Sequence, residues 1–400
     1  MTPGFDDVAS QLCLWCGATV PSGRFCGACG AHLDANDRLP WLRPREYAVA
    51  PRESVFLPMI TSSLFPHLAQ PNRNPFRLAM FIMLTALVGL SLLRILGPVV
   101  TLSALGVPLL FVLYLWQTGI YLDLPRRVLA VAAVLGAVLG AGWTLSTGGM
   151  IARSYGLPMA VGFGLERVLD VGLVISVSGA FLMVVPAVVV RLMRPALTES
   201  LDGFVIGALG ALSFTGAATT TRLAPQFVTG LMNEMRPVRV LVEAVLYGVA
   251  SPLTAAAAGG LIGIVLWFRP GERAGGHRGR VRAFLVFFTG QVVLIYTGIW
   301  LIDATRLPEL PQLVLHILMT VLALIALRVG MQLALMHEQP DPCTGQPLLC
   351  VHCERVVPDM PFCPACGVAA RASSRASRRQ RRDVPPVLDE QTGSQFSGPV

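Results

Sequence analysis

The sequence predicts an all-α polytopic membrane bundle of about eight transmembrane helices with a small zinc ribbon at each terminus. Apolar residues make up 54% of the 400 residues and charged residues only 14%, well below the roughly 25% charged residues of soluble domains. The mean hydropathy is +0.64. In addition, a group of four cysteines near the start of the chain recurs near its end. These observations exclude a soluble globular protein.

The apolar segments after Arg77 are long enough to cross a bilayer, which takes about 20 residues each. We place them at 78–96, 99–121, 128–147, 171–190, 203–221, 240–268, 283–302 and 313–336. Eight is an even number, so both ends of the chain should lie on one side of the membrane. The segment 240–268 is too long for one straight span, which predicts a tilt or a break near Pro252. Gly97-Pro98 predicts a hairpin between the first two spans, and 155–168 could add a re-entrant or surface element.

The repeated cysteines have the same spacing, Cys-x2-Cys-x9-Cys-x2-Cys, and are related by adding 337 to each residue number. Four thiolates at this spacing can close a tetrahedral structural site, and such a small module has almost no core apart from its metal. We therefore expect two structural Zn²⁺ ions; the alternatives are redox-active or metal-free thiols. The eight predicted metal ligands are Cys13, Cys16, Cys26, Cys29, Cys350, Cys353, Cys363 and Cys366. A ninth cysteine, Cys343, is left over.

These patterns divide the chain into five parts. We predict an N-terminal zinc ribbon (1–36), a proline-rich linker (37–77), the transmembrane domain (78–336), a C-terminal zinc ribbon (343–370) and a disordered arginine-rich tail (371–400). Within the linker, the apolar stretch 56–68 is too short to span and could lie at the membrane interface.

The predicted location is the cytoplasmic membrane, multi-pass, with both termini in the cytosol. Thiolates that hold metal persist in a reducing compartment. With the N-terminus inside, the inner loops carry nine arginines and the outer loops six, which agrees with the positive-inside rule. The net charge is +8 and every basic residue is arginine. The arginines of the tail could attract an anionic leaflet or belong to a solvated disordered segment.

A few charged or polar residues, whose transfer into the bilayer costs free energy, lie in or near the apolar segments. Glu243 and His316 could form a proton relay or half of a metal site, whereas Arg94 and Arg328 could snorkel to the surface. The simpler interpretation places Glu243 near the interface and gives His316 a hydrogen bond between helices. Glycines four residues apart, as in Gly203-x3-Gly207 and Gly136-x3-Gly140, predict close helix packing within the bundle.

The stretch Leu201-Asp202-Gly203-Phe204-Val205-Ile206-Gly207-Ala208, continuing to Phe214, resembles a signature of the PrsW family of intramembrane proteases. The segment 236–268 is similar in layout to another helix of that family, so the resemblance covers roughly 78–336. The whole arrangement also resembles that of a group of actinobacterial multi-pass membrane proteins that carry terminal zinc ribbons.

The resemblance implies a membrane-embedded hydrolase with paired glutamates, a basic partner and histidines. This chain has no Glu-Glu pair, and 171–190 contains no carboxylate. The family's later glutamate falls near Ala218 and its histidine near Ala250. The resemblance therefore points to a degenerate member.

The expected function is that of a non-catalytic membrane scaffold or regulator. Its partners would be the lipid bilayer and proteins bound through the ribbons. The pattern favours ribbons that dock onto a protein or onto each other, and the simpler alternative is that they are structural caps. Nucleic acid is not expected, because neither ribbon offers a basic face with aromatic platforms. The alternative is an active PrsW-like protease that uses non-standard residues such as Asp202, Glu243 and His316.

Overall fold

In the part of the chain that it describes, the structure, a computed structural model, contains eight helices that are long and apolar enough to cross a membrane. It describes residues 10–33, 46–68, 70–155, 165–193, 199–229, 237–271, 278–304, 307–339, 341 and 343–384. The eight spans are 73–92, 96–117, 126–148, 174–192, 200–224, 237–267, 279–299 and 309–337. Each overlaps one predicted segment, so the predicted fold class is confirmed.

Helices account for most of the described chain. They are α1 (Ile60–Leu64), α2 (Gln70–Leu92), α3 (Leu96–Gln117), α4 (Ile120–Asp123), α5 (Arg126–Tyr155), α6 (Leu165–Leu192), α7 (Ser200–Thr229), α8 (Pro237–Val245), α9 (Ser251–Trp267), α10 (Arg278–Ala304), α11 (Glu309–His337) and α12 (Arg375–Asp383). Two small antiparallel hairpins complete the fold, β1 (Ser10–Leu12) with β2 (Thr19–Pro21) and β3 (Pro347–Leu349) with β4 (Val356–Pro358).

Helix α7 forms the centre of the bundle, and glycines let its neighbours approach it closely. A Cβ atom on Gly207 would lie 2.0 Å from the carbonyl oxygen of Gly259, and one on Gly263 would lie 1.8 Å from that of Gly203. On another side of α7, a Cβ on Gly140 of α5 would lie 2.1 Å from the carbonyl oxygen of Phe214. The predicted glycine packing is therefore confirmed, because only hydrogen fits between these backbones.

Gly140→Ala is expected to destabilise the bundle, whereas Gly142→Ala two residues later is not. The new methyl at position 140 has no room beside α7, and overpacking of this kind costs about 1–3 kcal/mol. At Gly142 a Cβ meets nothing within 4 Å, and alanine favours the helix. Thermal unfolding in detergent would compare the two variants; equal melting temperatures would contradict the close α5–α7 contact.

The long sixth span is interrupted where the sequence predicts a break. A single π-helical turn, Leu246–Ala250, joins α8 to α9, and Pro252 lies in the first turn of α9. Proline lacks an N–H and crowds the preceding turn, so the helix widens locally to accommodate it.

The turn between α2 and α3 differs from the predicted one. It falls at Arg94, which has a left-handed φ of 56° and an exposed side chain. Pro98 instead occupies the first turn of α3, where its missing N–H is tolerated. Arg94 thus lies outside the apolar spans and does not need to snorkel.

Part of the predicted linker packs into the bundle. Residues 46–68, called the inserted segment, bury Tyr47, Val49, Phe65 and Leu68 in the main hydrophobic core beside residues of α2, α3 and α11. The prolines of this stretch predicted a linker, but the apolar residues between the prolines form a core contact.

The predicted disordered tail also differs from the structure over residues 371–384. Residues 370–372 form a 3₁₀ turn and 375–383 form α12, whose arginines find acidic partners described below. The remainder of the predicted tail, 385–400, lies outside the described residues, as does most of the predicted 155–168 surface element.

Candidate metal centres

Each cysteine cluster is built by one short hairpin and two tight turns. In the first module, residues 10–33 (ribbon 1), Gly17 N–H donates to Cys13 O at 2.9 Å and Gly30 N–H donates to Cys26 O at 2.8 Å. In the second, residues 343–370 (ribbon 2), the equivalent bonds close at 3.0 and 2.8 Å. Gly17, Gly30 and Gly367 have φ of 66°, 74° and 78°, as the sequence predicts. The fourth equivalent position is Glu354, which adopts a φ of 57° without being glycine.

The sulfur atoms lie where a tetrahedral metal site requires them. The Sγ–Sγ distance is 3.8 Å between Cys13 and Cys29 and 3.7 Å between Cys16 and Cys26. In ribbon 2 the corresponding distances are 3.8 and 3.9 Å. Bonds of about 2.3 Å to a tetrahedral ion imply sulfur separations of about 3.8 Å. Each cluster could therefore hold one metal ion, and the eight cysteines named from the sequence are the ones brought together.

The two ribbons pack against each other in a reciprocal way. Phe25 N–H donates to Pro364 O at 3.0 Å, and Phe362 N–H donates to Gly27 O at 3.0 Å. A Cβ on Gly367 would lie 2.7 Å from the Phe25 ring, and a Cβ on Gly30 would lie 2.7 Å from the Phe362 ring. Adding 337 to the residue numbers converts each contact into the other. The ribbons thus form a pseudo-twofold pair, the intramolecular equivalent of an isologous dimer.

This pairing is one of the arrangements considered from the sequence, in which the ribbons dock onto each other. It also places both ends of the membrane domain at one end of the bundle, here called the ribbon end. This contact requires an even number of spans, and the eight candidate spans found among the described residues agree with it.

Helix α12 attaches the ribbon pair to the bundle through its N-terminus. The Asp123 carboxylate, at the end of α4, accepts the backbone N–H groups of Arg375 at 2.6 Å and Ala376 at 2.8 Å. The Ser374 hydroxyl caps the same helix by accepting the Ser377 N–H. An acidic group at this position satisfies free N–H groups and complements the positive end of the helix dipole.

The arginine side chains of α12 and of the turn before it form ion pairs with acidic residues at the ribbon end. Arg378 pairs with Glu199 and, at 3.1 Å, with Asp341, while Arg375 pairs with Asp202. We call this set of contacts the arginine clasp; its other arginines are Arg371, which contacts Glu338 at 2.6 Å and Asp341 at 3.0 Å, and Arg382, which contacts Asp359 at 2.9 Å.

Electrostatics favour the charged forms of Asp341 and Arg371, whereas burial outweighs Arg371 at Glu338 and raises the pKa of that carboxyl to about 7. Burial alone would raise the pKa of Asp341, but Arg371 and Arg378 outweigh it and hold the pKa below its usual value. Burial lowers the pKa of Arg371, and the neighbouring Glu338 and Asp341 more than reverse this. The stability from Asp341 is therefore present above the normal carboxyl pKa and is lost as the pH falls through its lowered value.

Arg378→Gln is expected to release α12, whereas Arg379→Gln is not. Arg378 is 6% exposed, and removing one partner of a buried ion pair costs up to about 3–5 kcal/mol because the other charge stays buried. Arg375, 3.6 Å from Glu199, offsets part of this cost. Arg379 is exposed. Hydrogen exchange of α12 and limited trypsin cleavage within it would report release; equal protection in the two variants would mean that the clasp does not hold the helix.

A second polar cluster lies within the bundle, around Arg328 of α11. Its guanidinium is fully buried and donates to the Val55 and Ser54 carbonyl oxygens at 3.1 and 2.9 Å. It also pairs with Glu53 at 3.3 Å and stacks over the Tyr47 ring, 4.0 Å from its centroid. All four partners belong to the inserted segment. Arg328 is therefore paired within the protein and does not snorkel.

The residues of the protease alternative do not share one site. Asp202 is held by Arg375 at the ribbon end, whereas Glu243 pairs with Arg239 at 3.3 Å. Gly203, next to Asp202, packs on Gly263, and Glu243 lies 20 residues before Gly263, which is about 30 Å along the helix. His316 is buried in α11 and accepts the Thr320 hydroxyl with its carbonyl oxygen. Among the described residues, the only groups of three or more potential metal ligands are the two cysteine clusters.

Comparison with protein-family models, with curated proteins and with solved structures found no match to this chain.

Sequence reasoning did not identify Glu53, Glu199 or Glu338 as functional partners. A signal for Glu53 was present, because an arginine in an apolar helix requires an acidic or carbonyl partner and Glu53 lies among apolar linker residues.

Proposed function

We propose that the chain is a non-catalytic membrane scaffold or regulator whose paired ribbons form one docking platform. The observation that carries this proposal is the reciprocal ribbon pair, together with its attachment to the bundle. Ala48 of the inserted segment accepts the Ala369 N–H of ribbon 2 at 2.8 Å, and its own N–H donates to Gln332 of α11 at 2.8 Å. Together, the Ala48 hydrogen bonds and the arginine clasp join the platform to α4, α7 and α11. A partner bound to the ribbons would therefore be coupled to the positions of these helices.

We further propose that the bound ion is Zn²⁺, two per chain, and that the ribbon end is cytosolic. Four thiolates at tetrahedral spacing suit zinc, and reduced thiolates suit the cytosol. Elemental analysis of protein purified without chelator should give two zinc atoms per chain. Iron in place of zinc would refute the assignment.

The orientation is tested by adding protease to inside-out and to right-side-out vesicles. Ribbons on the cytosolic side should be cleaved in the inside-out vesicles and protected in the right-side-out vesicles.

The docking role is tested by crosslinked affinity capture from native membranes at matched expression. The intact protein is compared with Cys13→Ser/Cys16→Ser, with Cys363→Ser/Cys366→Ser, and with Glu243→Gln/His316→Ala. We expect specific proteins to be lost with either ribbon variant and kept with the bundle variant. If the ribbon variants capture the same proteins as the intact chain, the ribbons are structural caps and do not dock partners. A cleaved membrane protein that disappears only in the Glu243/His316 variant would favour the protease alternative.

A further inference from the structure

We propose that the first cysteine turn of ribbon 1 inserts into the lipid interface beside the bundle. Leu12, Leu14 and Trp15 are 62%, 90% and 37% exposed, an unusual concentration of large apolar side chains on so small a module. The occupant that we assign to this surface is the bilayer itself. The proposal goes beyond the docking role and does not depend on it.

Ribbon 2 shows what the same turn faces in the paired module. The residues equivalent to Leu14 and Trp15 are Val351 and His352, which are partly covered and line a cavity of about 60 Å³ together with Val49, Leu68 and Arg73. These three residues belong to the inserted segment and the start of α2. The first turn of ribbon 2 therefore faces the ribbon end of the bundle.

The first turn of ribbon 1 faces the same end from the other side of the pseudo-twofold axis. Trp15 lines a cavity of about 400 Å³ with Leu335, Met336 and His337 of α11 and with Gly271, just after α9. Since both turns face the bundle, the axis between the ribbons runs roughly along the helices. Leu14 is adjacent to Trp15 at the tip of the turn but is 90% exposed, so no described part of the protein covers it as the inserted segment covers Val351.

The depth of this turn matches the interfacial layer of a bilayer. Trp15 lines the same cavity as Leu335 and Met336, the last apolar residues of the α11 span. The polar layer beyond the hydrocarbon core is about 5–8 Å thick on each side, so the neighbouring Leu14 is within its reach. Tryptophan and leucine are the side chains that partition into this layer.

Charge also favours lipid over a basic protein surface. Residues 10–33 contain one arginine, Arg24, and no carboxylate. The acidic residues that line the cavity beside Trp15 are Glu338, Asp341 and Asp359, and the arginines of the clasp pair with all three. In ribbon 2 the equivalent of Ser22 is Asp359, which binds Arg382 of the clasp. Ribbon 1 lacks that acid and so lacks the feature by which ribbon 2 holds a basic helix. Residues 10–33 are thus largely apolar, and their one charged side chain, Arg24, is a cation, so ribbon 1 carries no negative charge that would oppose an anionic leaflet.

The test places the environment-sensitive residue dansylalanine at position 14 of the full chain. The probe is introduced as an amino acid because thiol labelling would attack the metal ligands. The protein is reconstituted in vesicles of phosphatidylcholine and phosphatidylglycerol, with or without bromine at a shallow acyl position. We expect blue-shifted emission at position 14 that the brominated lipid quenches. The matched control is position 351, where we expect blue-shifted emission without quenching because protein covers it.

Two results would overturn the proposal. Emission at position 14 characteristic of water, or blue-shifted emission that brominated lipid does not quench, would exclude lipid insertion; the second result would point to a second copy of the chain. Metal content of the labelled protein establishes that the ribbon is folded. As a second readout, Leu14→Ser/Trp15→Ser should raise hydrogen exchange in ribbon 1 in vesicles more than in detergent without lipid. An equal increase in both media would assign these residues to protein packing.

Discussion

Cys26→Ser/Cys29→Ser is expected to unfold ribbon 1 and also to weaken metal binding by ribbon 2. In small modules of this kind metal binding supplies about 10–16 kcal/mol of folding free energy, more than such a hairpin has from its own core. Loss of two thiolates therefore removes the ribbon as a folded unit. The effect passes to ribbon 2 because the two modules share their phenylalanine–glycine contacts.

The size of the coupling follows from the interactions between the two ribbons. Unfolding ribbon 1 breaks two backbone hydrogen bonds to ribbon 2, worth about 1 kcal/mol each. It also exposes part of the apolar surface that Phe25 and Phe362 bury against the partner glycines. A total of about 3 kcal/mol corresponds to about a 100-fold weaker metal affinity at ribbon 2. Competition with a chromogenic chelator would measure it.

Cys343→Ser is the matched control for this experiment. Cys343 is exposed and lies outside both clusters, so its replacement should leave both sites loaded at unchanged affinity. If the Cys26/Cys29 variant keeps the intact affinity at ribbon 2, the ribbons fold independently and the reciprocal contact carries no coupling.

The features that the sequence predicted are those encoded locally. Each span is recognisable from about 20 consecutive apolar residues, and each metal cluster from four cysteines within 17 residues. The break at Pro252 and the close contacts of Gly140 and Gly207 follow from the geometry of single residues. None of these depends on knowing which helices are neighbours.

The features that sequence reasoning missed join residues far apart in the chain. Arg328 meets Glu53 across 275 positions, and Arg378 meets Glu199 across 179. Composition alone made 371–384 look disordered, because arginine-rich segments without partners remain solvated. Glu199 and Glu338 flank the ends of spans, where each resembles an ordinary interfacial residue, and Glu53 lies in the predicted linker. Only the tertiary fold brings Glu199 and Glu338 to the arginines of the clasp and Glu53 to Arg328.

Glu53→Gln is expected to destabilise the bundle by about 3–5 kcal/mol, because it leaves the Arg328 charge buried without its carboxylate. Arg328 is fully buried and about 13 Å along α11 from its end at His337. Water cannot reach the guanidinium there, and the remaining carbonyl and hydroxyl partners do not neutralise it. The inserted segment should loosen first, since the partners of Arg328 all lie on it.

Glu243→Gln is the control, because Glu243 pairs with an Arg239 side chain that is 53% exposed, and exposed pairs contribute at most about 1 kcal/mol. The double variant Glu53→Leu/Arg328→Met should recover part of the loss, since it removes the Arg328 charge along with its carboxylate. The recovery is partial because the buried Arg73, 3.9 Å from Glu53, also loses its acidic partner. Unfolding in denaturant would give the change in the free energy of unfolding for Glu53→Gln, for Glu243→Gln and for the double variant. A Glu53→Gln cost no larger than that of Glu243→Gln would mean that Arg328 reaches solvent. In that case the inserted segment would be held by its apolar residues, such as Phe65, and the platform's link to α11 would rest on Ala48 and Gln332.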